Sequence, residues 1–310
     1  MRSLLWPLCC SLALASPVKR SVPDFTFAGD VGWTVPVSTL ASSLNCPYGY
    51  PTAASPPVLL VHGTFASGNE TWNQTYVPAL NAAGYTACYL ELPQRAGIDM
   101  QVSAEYVAYN LHYISYLSGG LQTAVVTHSQ GGPDTMWAFE WWPSTWAVTR
   151  AYLPLAPDLL GVTYDAPIFH TICPAYACEP SIWQQMVGSA FENALRAHKN
   201  FKAVVPSTLV WTAFDDIVTP PNQNALLTGG TTIGVQDVCP GRFVEHIYLV
   251  DDAVAYFTVL DALNHNGTAD VARVLATTPT VCEMLAAPAM EPGAVEQLRY
   301  VSDGVVEGFA

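Results

Sequence analysis

The chain has 310 residues, 51% of them hydrophobic and 12% charged, with a formal net charge of −14. That is enough apolar material for one sizeable core and too much for a disordered chain. The negative charge repels phosphate backbones and anionic membrane surfaces, which argues against nucleic acid as a partner and leaves transient contact with neutral lipid open.

At the start, Arg2 precedes an apolar run from Leu4 to Leu14 and the small residues Ala15 and Ser16. This reads as a secretory signal peptide over residues 1–15. The run is too short for a membrane anchor, which needs about 18 apolar residues or more. Residues 16–20 read as a short pro-segment ending in Lys19-Arg20, and 21–310 as one domain. No later segment has the pattern of a spanning helix, so the expectation is a secreted, extracellular monomer. Cysteine usage agrees. Cys9 and Cys10 would leave with the signal peptide, and six remain: Cys46, Cys88, Cys173, Cys178, Cys239 and Cys282. An even number in an oxidising compartment implies three disulfides, although six cysteines allow about 15 pairings. No cysteine or histidine spacing resembles a zinc site, and no metal is expected. Asn69, Asn73 and Asn266 each open an N-x-Thr sequon, making them candidate glycosylation sites.

After a polar, Pro-rich lead-in to Pro57, apolar runs and helical patterns alternate. Residues 58–61 predict a buried strand closed by His62-Gly63. The spacing over 72–83 predicts a helix stopped by Gly84, and 86–92 a second strand. A helix capped by Ser103 is predicted to run to Leu117 and end at Gly119-Gly120. Strand 123–127 runs directly into Ser129 and is followed by a helical stretch to about Glu140. Further strands are predicted at 150–155, 207–212 and, as the last, 243–250. Strands alternating with long helices imply an α/β fold with a mostly parallel sheet covered on both faces. Reactive groups in such sheets sit beyond the carboxyl ends of the strands. The loops after Val61, Thr127, Thr212 and Val244 are therefore the places to look.

The sequence THSQGG at 127–132 falls between a strand and a helix, the setting of a nucleophile elbow with Thr127 where Gly is usual. The turn needs a small neighbour, and Gly131 is one. A serine hydroxyl requires an imidazole base oriented by a carboxylate, in the chain order Ser, acid, His. Of His170, His198, His246 and His265, the one ending an apolar strand-like run is His246. For the acid, Asp158, Asp215 and Asp216 each follow a predicted strand, and spacing alone does not choose among them. Oxyanion donors are expected from the Gln130 amide and from His62-Gly63-Thr64, through the Thr64 amide and hydroxyl.

At these residues the chain resembles lipase B of the Candida antarctica type, an α/β-hydrolase family. The matching runs are PVLLVHGT at 57–64, GYTAC at 84–88, QVSAEY at 101–106, THSQGG at 127–132, APD at 156–158, SIWQQ at 181–185 with GSA at 188–190, FDDIV at 214–218 and FVEH at 243–246. The resemblance implies the α/β-hydrolase fold, with a small cover region at 165–200, and action on ester or lipid substrates without a cofactor. It implies Ser129 as nucleophile, Asp215 as acid, His246 as base and Thr64 with Gln130 as oxyanion hole. Asp158 and Gln185 are implied on the acyl side of the pocket, with Ile217 and His128 as further pocket residues. Pairings Cys46–Cys88 and Cys239–Cys282 are implied too, which leaves Cys173–Cys178 to clip the cover.

Three departures carry expectations of their own. His128 stands where the family has a Trp bounding the alcohol-side pocket, so a larger and more polar alcohol site is expected. The Cys173–Cys178 clip should stiffen the cover and weaken activation at an oil–water interface. The family's final disulfide has no counterpart, and a helix over 294–306 is expected to cover the pocket mouth. Two rival readings are an acyltransferase or small-ester esterase weak on long-chain fats, and a catalytically silent binding protein.

Overall fold

The structure, a computed structural model, describes residues 22–163, 179–199 and 201–307. The expected signal peptide and pro-segment, together with Cys173 and Cys178 in the cover, lie outside the described residues.

Among the described residues seven strands form one sheet: β1 (Leu44–Asn45), β2 (Pro57–Val61), β3 (Thr86–Leu90), β4 (Thr123–His128), β5 (Thr149–Leu155), β6 (Thr208–Trp211) and β7 (Thr231–Gly234). Their order is β1-β3-β2-β4-β5-β6-β7, with β1 antiparallel to β3 and every other pair parallel. This is the mostly parallel sheet that the alternating pattern implied, and it fits the α/β-hydrolase fold implied by the resemblance. Strands β2, β3 and β4 are buried at every residue, as continuous apolar runs require when both faces are covered. Successive side chains alternate between two layers. Val58, Leu60 and Val126 pack with helices Tyr76–Ala82 and Ala253–Asn264, while Leu59, Val61 and Val125 pack with helices Met100–Leu117 and Gly131–Trp141. Because six strands run the same way, their carboxyl ends gather along one edge of the sheet.

Several local expectations change. The helix expected over 72–83 is two helices, Gly68–Trp72 and Tyr76–Ala82. The first is started by a capping box in which Ser67 Oγ accepts from the Glu70 amide and the Glu70 carboxylate accepts from the Ser67 amide. Helix Met100–Leu117 is capped by Asp99, whose carboxylate accepts from the Gln101 amide, while Ser103 is buried in the helix interior. The strand expected at 243–250 does not form. The free edge of β6 is taken by β7 in register from Thr208↔Thr231 to Trp211↔Gly234, so 243–250 has no ladder partner. It becomes a loop leading into the 3-10 turn Ile247–Val250.

The disulfides Cys46–Cys88 and Cys239–Cys282 both form, closing 42 and 43 residues. Among the described residues no helix is long and apolar enough to cross a membrane.

Candidate active site

Strand β4 ends at His128, and the next residue, Ser129, adopts φ 54° before helix Gly131–Trp141 begins. A left-handed conformation is costly for a residue with a Cβ and persists only where the surroundings dictate it. Here they do. The Ser129 amide donates to Leu155 O at 3.0 Å, and the Gly132 amide donates to Ser129 O at 2.8 Å. Backbone crowds the turn on the other side: a Cβ on Gly131 would come within 2.8 Å of Val61 O, and one on Gly63 within 2.8 Å of Ser129 Cβ. Glycine at both positions lets the loop after β2 close against the elbow.

That loop brings Thr64 beside the turn. The amides of Thr64 and Gln130 make no hydrogen bond among the described residues, so both are available to a developing oxyanion. The Thr64 hydroxyl is already engaged, donating to Gln130 Oε1 at 2.6 Å, and the Gln185 amide donates to the same oxygen at 3.2 Å. The Gln130 amide group in turn donates to Ala96 O at 3.0 Å. A side-chain network thus locks the hole's geometry. Beneath it His62 is fully buried, bonded through Nδ1 to Gly63 O and accepting at Nε2 from the Leu92 amide. Burial pushes its pKa down to about 4, so this imidazole is a neutral structural bridge.

Asp215 and His246 meet from separate loops. The Asp215 amide donates back to Thr212 O at 3.3 Å, turning the chain after β6. One carboxylate oxygen of Asp215 accepts from the Ile217 and Val218 amides at 3.0 and 2.7 Å; the other lies 2.8 Å from His246 Nδ1. Both residues are buried. Burial by itself would lower the His246 pKa, but the carboxylate of Asp215, with Asp216 and Glu245 beyond it, outweighs burial and raises it. With Nδ1–H held by Asp215, Nε2 is the nitrogen free to take a proton. The loop carrying His246 is hung on side chains: the Thr212 hydroxyl donates to Val244 O at 2.7 Å, Gln236 to Arg242 O at 2.8 Å and His128 Nε2 to His246 O at 3.0 Å.

One cavity holds these groups. Ser129, His246, Thr64, His128, Gln185 and Ile217 line it, with about 680 Å³ of space including its open mouth. Leu298 and Val301 of helix Ala294–Glu307 form part of its wall, as expected for the segment at the chain's end. The apolar wall is completed by Val162, Ile247 and Val250, which no motif signalled, and by Ile182 and Val218, which lie in the matched runs at 181–185 and 214–218 but were not singled out as pocket residues. Ser129 and His246 share the cavity without a hydrogen bond between them among the described residues.

Asp158 is placed differently from its expected pocket role. It is fully buried, is not among the residues lining the cavity, and its carboxyl oxygens have no partner among the described residues. Burial raises its pKa to about 7. Asn69 and Asn266 are exposed and Asn73 is half-buried. Among the described residues no group of three His, Cys, Asp or Glu side chains is disposed to hold a metal ion.

Comparison with known proteins follows the same lines. No protein-family model matches the chain. It is 30% identical over 255 residues to lipase B of Pseudozyma antarctica, a match spanning 80% of this chain and 72% of the relative. Among solved structures it superposes on Aspergillus fumigatus lipase B with a TM-score of 0.82 at 28% identity, over 94% of this chain and 72% of the other. A fungal esterase from Rhizomucor miehei, 10% identical with a TM-score of 0.51 over 77% and 79% of the two chains, shares the fold alone.

Proposed function

This chain belongs to the lipase B family and is a carboxylic ester hydrolase, and from that premise we propose that it works through an acyl-enzyme on Ser129, with His246 as base and Asp215 as its orienting acid. The observation that carries the proposal is that His246, paired with Asp215 at 2.8 Å, lines the same cavity as a serine held at φ 54°. His246 Nε2 takes the Ser129 proton as Oγ bonds to the ester carbonyl carbon. The carbonyl oxygen becomes an oxyanion that accepts from the Thr64 and Gln130 amides, each donor contributing roughly 2.7–4 kcal/mol in comparable holes. Collapse of the tetrahedral intermediate breaks the bond to the alcohol oxygen, which leaves with the proton from His246. Water, deprotonated by the same nitrogen, then attacks the acyl carbon; the acyl–Oγ bond breaks, His246 returns the proton to Ser129 Oγ, and the acid leaves. A serine–imidazole bond absent before substrate arrives is common, since such contacts tighten in the Michaelis complex.

The substrate is a lipid ester, with triacylglycerol as the leading class: the wall residues Val162, Ile182, Val218, Leu298 and Val301 suit an acyl chain. The enzyme acts as a secreted monomer, glycosylated at Asn69, Asn73 or Asn266, without a cofactor. Two disulfides suit an oxidising compartment. Hydrolysis of p-nitrophenyl esters from acetate to palmitate tests the activity. Wild type should turn over medium and long chains, and Ser129→Ala should lose on the order of 10⁶ in kcat. Activity confined to acetate would favour a small-ester esterase, and turnover by Ser129→Ala equal to wild type would overturn the proposal.

A further inference from the structure

Helix Gly131–Trp141 carries in its first turn an acid, Asp134, that the proposed reaction does not use. Asp134 is fully buried and grips Gln130 at two points. Its amide donates to Gln130 O at 3.1 Å, and its Oδ2 accepts from Gln130 Nε2 at 3.3 Å. Gln130 Nε2 also donates to Ala96 O, so both of its hydrogens are taken. That leaves Oε1 as the acceptor for the Thr64 hydroxyl and the Gln185 amide. Asp134 therefore helps to hold the residue whose main-chain amide supplies one oxyanion donor.

The charge state of this acid matters because of its place. A helix N-terminus carries partial positive charge, and an oxyanion beside it draws on that field. A carboxylate in the same turn would offset the field and, with little water between them, repel the oxyanion. The surroundings favour the neutral acid. Asp134 Oδ1 has no partner, and neither oxygen meets a Lys or Arg in an ion pair, among the described residues. The groups facing it are acidic or neutral: Asp158 on the loop after β5, Tyr152 on β5 and Asp99 at the cap of helix Met100–Leu117. Glu192 of helix Ala190–Ala197 lies beyond Asp158. Burial, reinforced by Asp158 as a like charge, holds the Asp134 carboxyl well above the usual carboxylate range, against the pull of the Gln130 bond.

We propose that Asp134 is a positioning residue for the oxyanion hole that works only as the neutral acid: it orients Gln130 by accepting a hydrogen bond, and losing its proton to alkaline solvent puts a negative charge at the helix end on which the oxyanion depends. This rests on Ser129, Thr64 and Gln130 acting as described above.

The test is the pH dependence of kcat on a soluble butanoate ester, followed by pH-stat titration, for wild type, Asp134→Asn and Asp134→Leu. Wild-type kcat should fall on the alkaline side, by about tenfold per pH unit beyond the ionisation, while circular dichroism shows the fold intact. Neither replacement can ionise, so that limb should be absent from both variants. At neutral pH the asparagine variant, which keeps an acceptor, should retain about threefold to tenfold more kcat than the leucine variant, the worth of one neutral hydrogen bond. If the leucine variant does not fold, the asparagine profile still decides. An asparagine variant with the wild-type limb, a limb that moves only in Asp158→Asn, or a wild type that keeps its kcat until it unfolds overturns the inference. So does a folded leucine variant as fast as the asparagine variant at neutral pH. Absence of turnover by wild type at every pH would sink the catalytic assignment and this inference with it.

Discussion

The nucleophile and the base reach the same cavity by different means. Ser129 stands at the end of a central strand paired on both sides, β4 with β2 and β5, and at the start of an eleven-residue helix. Its position follows from main-chain hydrogen bonds and from two glycines that backbone atoms approach closely. His246 stands on a loop outside the sheet, held by bonds from the side chains of Thr212, Gln236 and His128 and by its pairing with Asp215. A ladder resists single substitutions because each residue adds one bond among many; a loop hung on three or four side chains does not. Mutations should therefore act on the nucleophile side mainly through sterics and on the base side through the loss of individual polar groups.

The largest effect is expected at Asp215→Asn. Its oxygen would stay with the Ile217 and Val218 amides, turning the new NH₂ toward His246 Nδ1 and forcing the proton onto Nε2. A base with the wrong tautomer costs about 10⁴ in kcat by analogy with other triads, with the fold retained by circular dichroism. Next come the disulfides. Opening either one by double Cys→Ser replacement should remove about 4 kcal/mol of stability on the chain-entropy model, measurable by denaturant unfolding. Only loss of Cys239–Cys282 should also lower kcat at temperatures where the chain remains folded, because Cys239 O accepts from the Arg242 amide at the root of the base loop.

On the nucleophile side, Gly131→Ala should push the elbow away from the Val61 and His62 carbonyls. A displacement approaching 1 Å costs about 10²-fold in kcat; unchanged kcat in a folded variant would show that the turn has slack. A smaller change is expected at Thr212→Val, which removes the donor to Val244 O and leaves Gln236 without one of its acceptors. Stability should fall by about 1–3 kcal/mol and kcat by less than in Gly131→Ala. The smallest is a shift with pH. The base must be neutral to work, and its raised pKa means that kcat/KM declines with acid through a value above the usual 6.5 of imidazole. Replacing the outer acids, Asp216→Asn with Glu245→Gln, should move that limb to lower pH in a pH–rate profile; an unmoved limb would mean that these carboxylates do not act on His246.

How much of this was legible beforehand differs along the chain. The elbow was readable because strand, turn and helix lie within consecutive residues, and hydrophobic periodicity with one glycine specifies all three. The last strand was misplaced because 243–250 is as apolar as a strand, yet pairing depends on which segment captures the free edge of β6, and β7 does so. The acid was undecided by spacing for a similar reason. Asp158, Asp215 and Asp216 all follow strands; family likeness favoured Asp215, and the structure separates them by surroundings: Asp158 is sealed without a partner, Asp216 reaches the His246 amide at 3.4 Å, and Asp215 alone meets the ring.

From the residues alone, then, come the layered α/β architecture and the strand-to-helix turn that carries the serine, since both arise from interactions between near neighbours in the chain. The pairing of Asp215 with His246, the bond from His128 to the His246 carbonyl and the apolar wall drawn from distant segments were decided by tertiary structure. Each joins groups tens to more than a hundred residues apart, and no local pattern encodes which of several equivalent side chains long-range packing will bring into contact.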